Sequence, residues 1–367
     1  MNQTLLVNKT DFGDVVPVNI DEAPLAEDHI RVRIGPFALT ANNITYMVTG
    51  DRMGYWKFFE PSEYGIDRPG AGRIPVWGFA EVTESRVGNI SVGERIYGFF
   101  PVAEMLDIKP TRLSRHSFHD GASHRIPLHP VYNTYVRTQN DPGFDGDLDD
   151  LQPVLRPLFT TSFLIDDRFD ENRFYGADQI LILSASSKTA LGTAFCMKQR
   201  GAAKITGLTS ARNKAFVEST GFYDHVVTYE HIHTLDGGEK SAVVDMAGSG
   251  EITGRVYDHF GENIVYNCMV GKSHRQGGKP PKINAGAPPV MFFAPDRARE
   301  RIGEWGRDGF ADRLGAQWIP FCQSAKDWLD INKSQGIEKL LPVYQAFLEG
   351  TVPAAKACLF SLQENHP

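Results

Sequence analysis

Gln179-Ile180-Leu181-Ile182-Leu183-Ser184-Ala185-Ser186-Ser187-Lys188-Thr189-Ala190-Leu191-Gly192 is a short apolar run that ends in a cluster of small residues. A helical pattern follows, carried by Ala190, Leu191, Ala194, Phe195, Met197 and Lys198. The spacing predicts a buried parallel strand, a tight turn and a helix N-terminus. Small side chains let a phosphate approach backbone N–H groups and the positive end of a helix dipole. The expected guest is a dinucleotide. An ordinary strand–helix unit with a small-residue turn is the alternative.

The usual fingerprint for such a loop is G-x-G-x-x-G. Here Ser184, Ser187 and Ala190 take the three close-approach positions. Ser and Ala add little volume, and a serine hydroxyl can itself bond a phosphate. Lys188 adds a cation to the same loop. The G-K-[ST] signature with its upstream glycine is missing, which argues against nucleotide hydrolysis.

The next strand reads Ala203-Lys204-Ile205-Thr206-Gly207-Leu208-Thr209-Ser210. Sites that prefer NAD place Asp or Glu at the end of this strand to bind the ribose 2′-hydroxyl. This chain instead continues Ala211-Arg212-Asn213-Lys214. A hydroxyl from Ser210, a guanidinium and an ammonium suit a 2′-phosphate, so the expected cofactor is NADPH. Further strands are expected at Asp224 to Tyr229, Ser241 to Gly248 and Asn263 to Gly271. Helical windows lie between them at Arg212 to Thr220 and Glu251 to Phe260. Such alternation builds a doubly wound parallel sheet.

The first half differs in kind. Ile30-Arg31-Val32-Arg33-Ile34 and Gly78-Phe79-Ala80-Glu81-Val82-Thr83-Glu84-Ser85 alternate with period two, and a Gly-bearing turn precedes the strand near Arg95 to Phe100. Short strands broken by Gly and Pro predict an antiparallel barrel or sandwich. Asp141 to Asp150 is acidic and Gly-rich, as expected of an exposed loop or link, and Gly277 to Pro289 reads as another loop. A chain of 367 residues exceeds one ordinary core, so two domains are expected. The expected division is 1-155 with 326-367, and 156-325.

A net charge of −7 argues against a general nucleic-acid surface. No apolar run reaches ~18 residues, so no membrane span is expected. The first residues lack a secretory signal pattern, and the expected location is cytoplasmic. The four cysteines, Cys196, Cys268, Cys322 and Cys358, are scattered without a C-x-x-C pair and read as reduced structural thiols. His116, His119, His124 and His129 come closest to a metal cluster, but no Cys or Glu arrangement accompanies them, and no metal is expected.

These stretches carry a family resemblance. A barrel-like half followed by a dinucleotide half resembles the medium-chain dehydrogenase/reductase superfamily along most of the chain. The resemblance rests on His29 to Ile34, Ala38-Leu39-Thr40-Ala41-Asn42-Asn43, Pro75 to Val82, Val92 to Gly98, Tyr132 to Val136 and Phe159 to Phe163. It implies an α/β fold: a GroES-like β-barrel catalytic domain plus a Rossmann domain. The nearest subgroup is one of unknown function, so the resemblance implies no particular substrate. It also implies a cofactor surface made by Thr161, Ser184, Ser186, Ser187, Lys188, Thr189, Ser210, Arg212, Lys214, Tyr229, Cys268 and Val270.

The departures from that family bear on chemistry. Zinc-dependent members have a Cys where Thr40 stands and a second-shell Asp where Asn43 stands. Their Gly-His-Glu segment is replaced by Val76-Trp77-Gly78-Phe79-Ala80. A catalytic zinc needs about three protein ligands, which this pattern does not supply. Zinc-free members resembling this chain mostly reduce activated C=C bonds. The resemblance therefore implies reduction of an enone, quinone or related conjugated carbonyl, with Asn43, Tyr46 and Tyr55 as donors to the developing enolate. A core role for Tyr46 is the alternative. Ketone reduction or alcohol oxidation with Tyr as acid, and NADPH binding without turnover, are the alternative functions.

Met53-Gly54-Tyr55-Trp56-Lys57-Phe58-Phe59-Glu60-Pro61-Ser62-Glu63-Tyr64 is dense in aromatics. It is expected to wall a pocket for a small hydrophobic or aromatic carbonyl substrate, with a local core or dimer contact as alternatives. Ile337 to Leu348 reads as an amphipathic helix and Ala357 to Leu362 as a closing strand. A homodimer through an edge strand within Lys282 to Phe293 is the family-like expectation, because Val290-Met291-Phe292-Phe293 is apolar and β-prone. A monomer with a helix over that edge is the alternative.

Overall fold

The computed structural model describes residues 2–270 and 283–363. The chain divides into two compact units, Met1–Val154 with Asp330–Pro367, and Leu155–Leu329.

In the first unit, strand Ile30–Leu39 lies between Pro75–Ser85 and Lys356–Ser361, antiparallel to both. Its period-two pattern works as read. Ile30, Val32 and Ile34 are buried, while Arg31 and Arg33 turn outward to carboxylates. The nine-stranded sheet that contains it, with a second sheet of three strands, surrounds one apolar core. Helix Ile337–Glu349 contributes Leu340 and Tyr344 to that core.

One strand of this unit carries no apolar signal. Asp330–Gln335 reads Asp-Ile-Asn-Lys-Ser-Gln and is largely exposed, yet it runs parallel to Lys356–Ser361. Backbone pairing to an already buried neighbour holds it, not a buried face. The acidic stretch Asp141 to Asp150 is more anchored than expected. Leu148 is buried, Asp149 pairs with Arg95, and Asp150 pairs with Lys333.

The second unit is a six-stranded sheet, ordered His225–Thr228, Lys204–Thr209, Gln179–Leu183, Ser241–Asp245, Ile264–Met269 and Pro289–Met291. Every pairing is parallel. Ile180, Leu181, Ile182 and Leu183 are fully buried, as a central parallel strand requires. Chain order reverses direction at this strand, so the crevice beyond its carboxyl end is a topological switch point.

Helix Ala294–Ala325, broken in direction at Gly306 with φ 74°, packs with helix Gln152–Glu171 through an ionic clamp. Asp167 Oδ2 accepts from Arg297 Nε at 2.9 Å and from Arg301 Nε at 2.7 Å, and both guanidinium groups are buried. Glu171 bonds the same two arginines from the solvent side. All four cysteines are buried and unbridged. Among the described residues no helix is long and apolar enough to cross a membrane.

Candidate active site

The loop after strand Gln179–Leu183 keeps a glycine's backbone without its glycine. Ser184 sits at φ 57°, the left-handed region that L-residues enter at a cost of about 1–2 kcal/mol. The turn is tied on several sides. Ser184 N–H donates to the Tyr229 hydroxyl at 3.1 Å, and Ser187 N–H donates to Ser184 O at 2.8 Å. Asn213 Nδ2 donates to Ser186 Oγ at 2.9 Å, joining this loop to the turn after the next strand. Ser187 then caps helix Lys188–Arg200, its Oγ accepting from Ala190 N–H at 3.2 Å.

The close packing expected of a fingerprint glycine falls one turn later, at Gly192. A Cβ there would lie 2.7 Å from Ser162 Oγ. Ser162 itself donates to Thr189 O at 2.7 Å. The structure thus brings Ser184, Ser186, Ser187, Lys188 and Thr189, all half-buried, around one helix N-terminus. Ser210 and the exposed Arg212 stand at the neighbouring turn, where Lys214 is ion-paired with Glu218. Thr161 and Val270 are half-buried; Val270 N–H donates to Asp245 O at 3.0 Å. Cys268 is placed differently from the expectation. It is fully buried in strand Ile264–Met269, where burial pushes its thiol up to about 12, and its side chain packs the sheet instead of facing a ligand.

Replacing Ser184 with Gly removes the left-handed cost but returns conformational freedom to the unfolded chain, worth about 0.5–1 kcal/mol. The expected net result is a gain of ~0.5–1 kcal/mol in unfolding free energy, read by urea titration. A loss of stability would show that the serine hydroxyl, not the backbone, sets the turn.

In the first unit, helix Ala41–Val48 opens with a capping box. Thr40 N–H donates to Asn43 Oδ1 at 2.6 Å, and Asn42 N–H donates to Thr40 Oγ1 at 3.3 Å. Asn43 Nδ2 donates to Pro75 O at 2.7 Å. Both ends of the buried Asn43 amide are therefore engaged, Oδ1 in capping the helix and one Nδ2–H in holding it to strand Pro75–Ser85, which leaves one N–H of the amide for any other acceptor.

Tyr46 lies one turn beyond Asn42. Asn42 Nδ2 donates to its hydroxyl at 2.7 Å, and Trp77 Nε1 donates to the same oxygen at 2.9 Å. Burial drives the phenol well above its ordinary value, Tyr55 adds to that rise, and the two donors oppose it. Tyr55 instead pairs hydroxyl to hydroxyl with Tyr132 at 2.9 Å. The rings of Tyr46 and Tyr55 lie 4.7 Å apart, with Phe99 and Tyr132 closing the cluster.

The aromatic stretch Met53 to Tyr64 is core, not pocket wall. Tyr55, Trp56, Phe58 and Phe59 are at most 7% exposed and join the central apolar cluster. Two short 3₁₀ turns, Tyr55–Phe59 and Pro61–Tyr64, direct the rings inward. Gly50 and Gly72 make room for the Trp56 indole, since a Cβ at either would lie within 2.5 Å of it. Sequence reading missed Asn42, Trp77 and Tyr132. The four-residue spacing from Asn42 to Tyr46 was a usable signal, whereas Trp77 comes from a distant strand.

Solved structures share this architecture over nearly their whole length. CurA from Vibrio vulnificus in complex with NADPH has a TM-score of 0.62 at 13% identity, covering 99% of each chain. The Etr1p/NADP/crotonyl-CoA complex has a TM-score of 0.63 at 11% identity, covering 98% of this chain and 99% of that one. The yhdH oxidoreductase from Salmonella enterica in complex with NADP has a TM-score of 0.58 at 11% identity, covering 98% and 100%. The fold is that of the medium-chain dehydrogenases/reductases, a GroES-like barrel with a Rossmann domain. Within it, the chain belongs to the family described as protein of unknown function (DUF2855), which matches residues 37–353. No curated protein matches its sequence.

Proposed function

We propose that this chain is an NADPH-dependent, metal-independent reductase of an activated C=C bond in an enone, quinone or related conjugated carbonyl. The observation that carries the reading is the pairing at the start of helix Ala41–Val48. Thr40 and Asn43 stand where zinc-using enzymes of this fold have Cys and Asp, and here they cap the helix together. One turn later Tyr46 presents a hydroxyl proton that no described residue accepts. Solved structures of this fold with NADPH, NADP and crotonyl-CoA bound agree with the reading.

The residues present fit the cofactor. Ser186, Ser187, Lys188 and Thr189 surround a helix N-terminus suited to a pyrophosphate. Ser210 and Arg212 would take the 2′-phosphate, and Thr161, Tyr229 and Val270 lie on the same unit. When bound, NADPH supplies a hydride. The chain's own part is to orient the carbonyl substrate and to deliver a proton from Tyr46. Consumption of NADPH over a panel of enones, quinones and simple ketones tests this. Turnover of enones or quinones is expected; activity on ketones alone would replace the reading with ketone reduction.

Arg212→Ala should weaken NADPH about 10- to 150-fold while leaving NADH little changed, because it removes one charge-assisted bond of ~1.5–3 kcal/mol. Lys214→Ala should do less, since that ammonium already pairs with Glu218. Fluorescence titration with both cofactors reads the difference, and equal losses for the two would mean the turn does not read the 2′-phosphate.

We also propose a homodimer through the edge strand Pro289–Met291. Val290 and Met291 are 45% and 58% exposed there, while Phe292 packs inward at 8%. Lys282, at the start of the expected segment, lies outside the described residues. Met291→Lys should convert dimer to monomer in sedimentation without loss of folding. The same sedimentation behaviour for both proteins would exclude this edge.

A further inference from the structure

Helix Ala41–Val48 and strand Pro75–Ser85 converge on one oxygen atom, the Tyr46 hydroxyl. The Asn42 amide NH₂ and the Trp77 indole N–H can only donate. Both therefore fill acceptor positions on Tyr46 Oη, at 2.7 and 2.9 Å. The hydroxyl's own proton has no acceptor among the described residues. A phenol with two incoming bonds and no outgoing one is arranged to lose its proton, because the charge left behind meets two donors already in place. No solvent has to reorganise, which is how preorganised donors stabilise developing charge.

The neighbouring phenol lacks this arrangement. Tyr55 shares its hydroxyl with Tyr132, another hydroxyl, and has no donor-only partner among the described residues. The indole is held firmly: Trp77 stacks on Tyr97 at 5.7 Å and 24°. Gly78, next to it, lets the strand approach closely, since a Cβ there would lie 2.6 Å from Phe37 Cβ.

We propose that Asn42 and Trp77 are positioning residues that hold the Tyr46 oxygen as its proton leaves for the substrate. The proposal rests on the reductase reading above. The step balances. Reduction at the β-carbon leaves an enolate on the substrate. The Tyr46 O–H bond breaks, a C–H bond forms at the α-carbon, and the phenolate takes a proton back from water. Tyr46, not Tyr55, is thus the acid. The titratable groups that face it are Tyr55 and Tyr132.

Trp77→Phe keeps an aromatic ring and removes only the donor side. It should lower kcat for the enone about 10²–10³-fold, with KM and NADPH affinity unchanged. The pH at which kcat falls on the alkaline side should move up, because the phenolate loses a stabilising donor. Asn42→Asp replaces a donor with an acceptor and should do the same. A readout without turnover separates this proposal from the function itself. With 3-fluorotyrosine placed at position 46, ¹⁹F NMR follows ionisation of that phenol in the folded protein. Trp77→Phe and Asn42→Asp should each raise its midpoint, whether or not any substrate is turned over. A shifted midpoint with no turnover on the panel would keep the two-donor cradle and remove the reductase reading. An unmoved midpoint in both variants, with circular dichroism showing intact folds, would overturn the proposal.

Discussion

Tyr46→Phe should lower kcat/KM for an enone substrate by about 10²–10⁴-fold, the usual contribution of a placed general acid. NADPH affinity should stay as it was, since no residue of the nucleotide loop is altered. The same change also leaves Asn42 Nδ2 and Trp77 Nε1 without their acceptor. Each of these half-buried donors left unmet costs up to about 1 kcal/mol, so the thermal midpoint should fall slightly as well. Tyr55→Phe is the control. It removes a single hydroxyl pair with Tyr132 and should cost less than about tenfold in rate. Steady-state kinetics on both variants decides between the two phenols. Equal losses would mean that neither hydroxyl alone delivers the proton.

The largest expected effect on stability lies in the other unit. Asp167→Ala should destabilise the folded state by about 1–3 kcal/mol, because two guanidinium groups lose their shared carboxylate while Glu171, Glu300 and Glu304 still pair with them. Arg297 and Arg301 are only 4% and 7% exposed, so the loss of their inner carboxylate is felt in the core of the clamp. Glu171→Ala should cost ~1 kcal/mol or less, since its side chain is 39% exposed and screened. Urea unfolding of the two variants measures the contrast. A loss under about 1 kcal/mol for Asp167→Ala would show that helix packing, not the ion cluster, joins Gln152–Glu171 to Ala294–Ala325.

The parts of this fold that declare themselves in sequence are those with a local period. Ile180 to Leu183 and Ile30 to Ile34 each state their strand type through burial on both faces or on one. The polar strand Asp330–Gln335 states nothing, because its stability comes from backbone bonds to a partner strand. The ionic clamp is equally silent, since Asp167 and Arg297 stand 130 residues apart. At the candidate site, residue types were legible but their commitments were not. Asn43 reads as an open amide donor in sequence, yet its two ends are taken by Thr40 and Pro75. The ring density at Tyr55 to Phe59 fits a pocket wall and a core equally well in sequence. Only the space made by Gly50 and Gly72 decides for the core.

The pairing of Leu39 with Cys358 has a consequence for how the protein is made. Strand Ile30–Leu39 leaves the ribosome about 320 residues before one of its two main neighbours, Lys356–Ser361. At ~5–20 residues per second the delay is on the order of tens of seconds. During that time every strand from Gln179 to Met291 has been produced, so the nucleotide unit can mature first. Met105–Ile108 covers the Ile30–Arg33 part of the strand early, but the Phe37–Leu39 part waits unpaired for Cys358 to Phe360, and an open edge of that kind invites mispairing on a crowded ribosome.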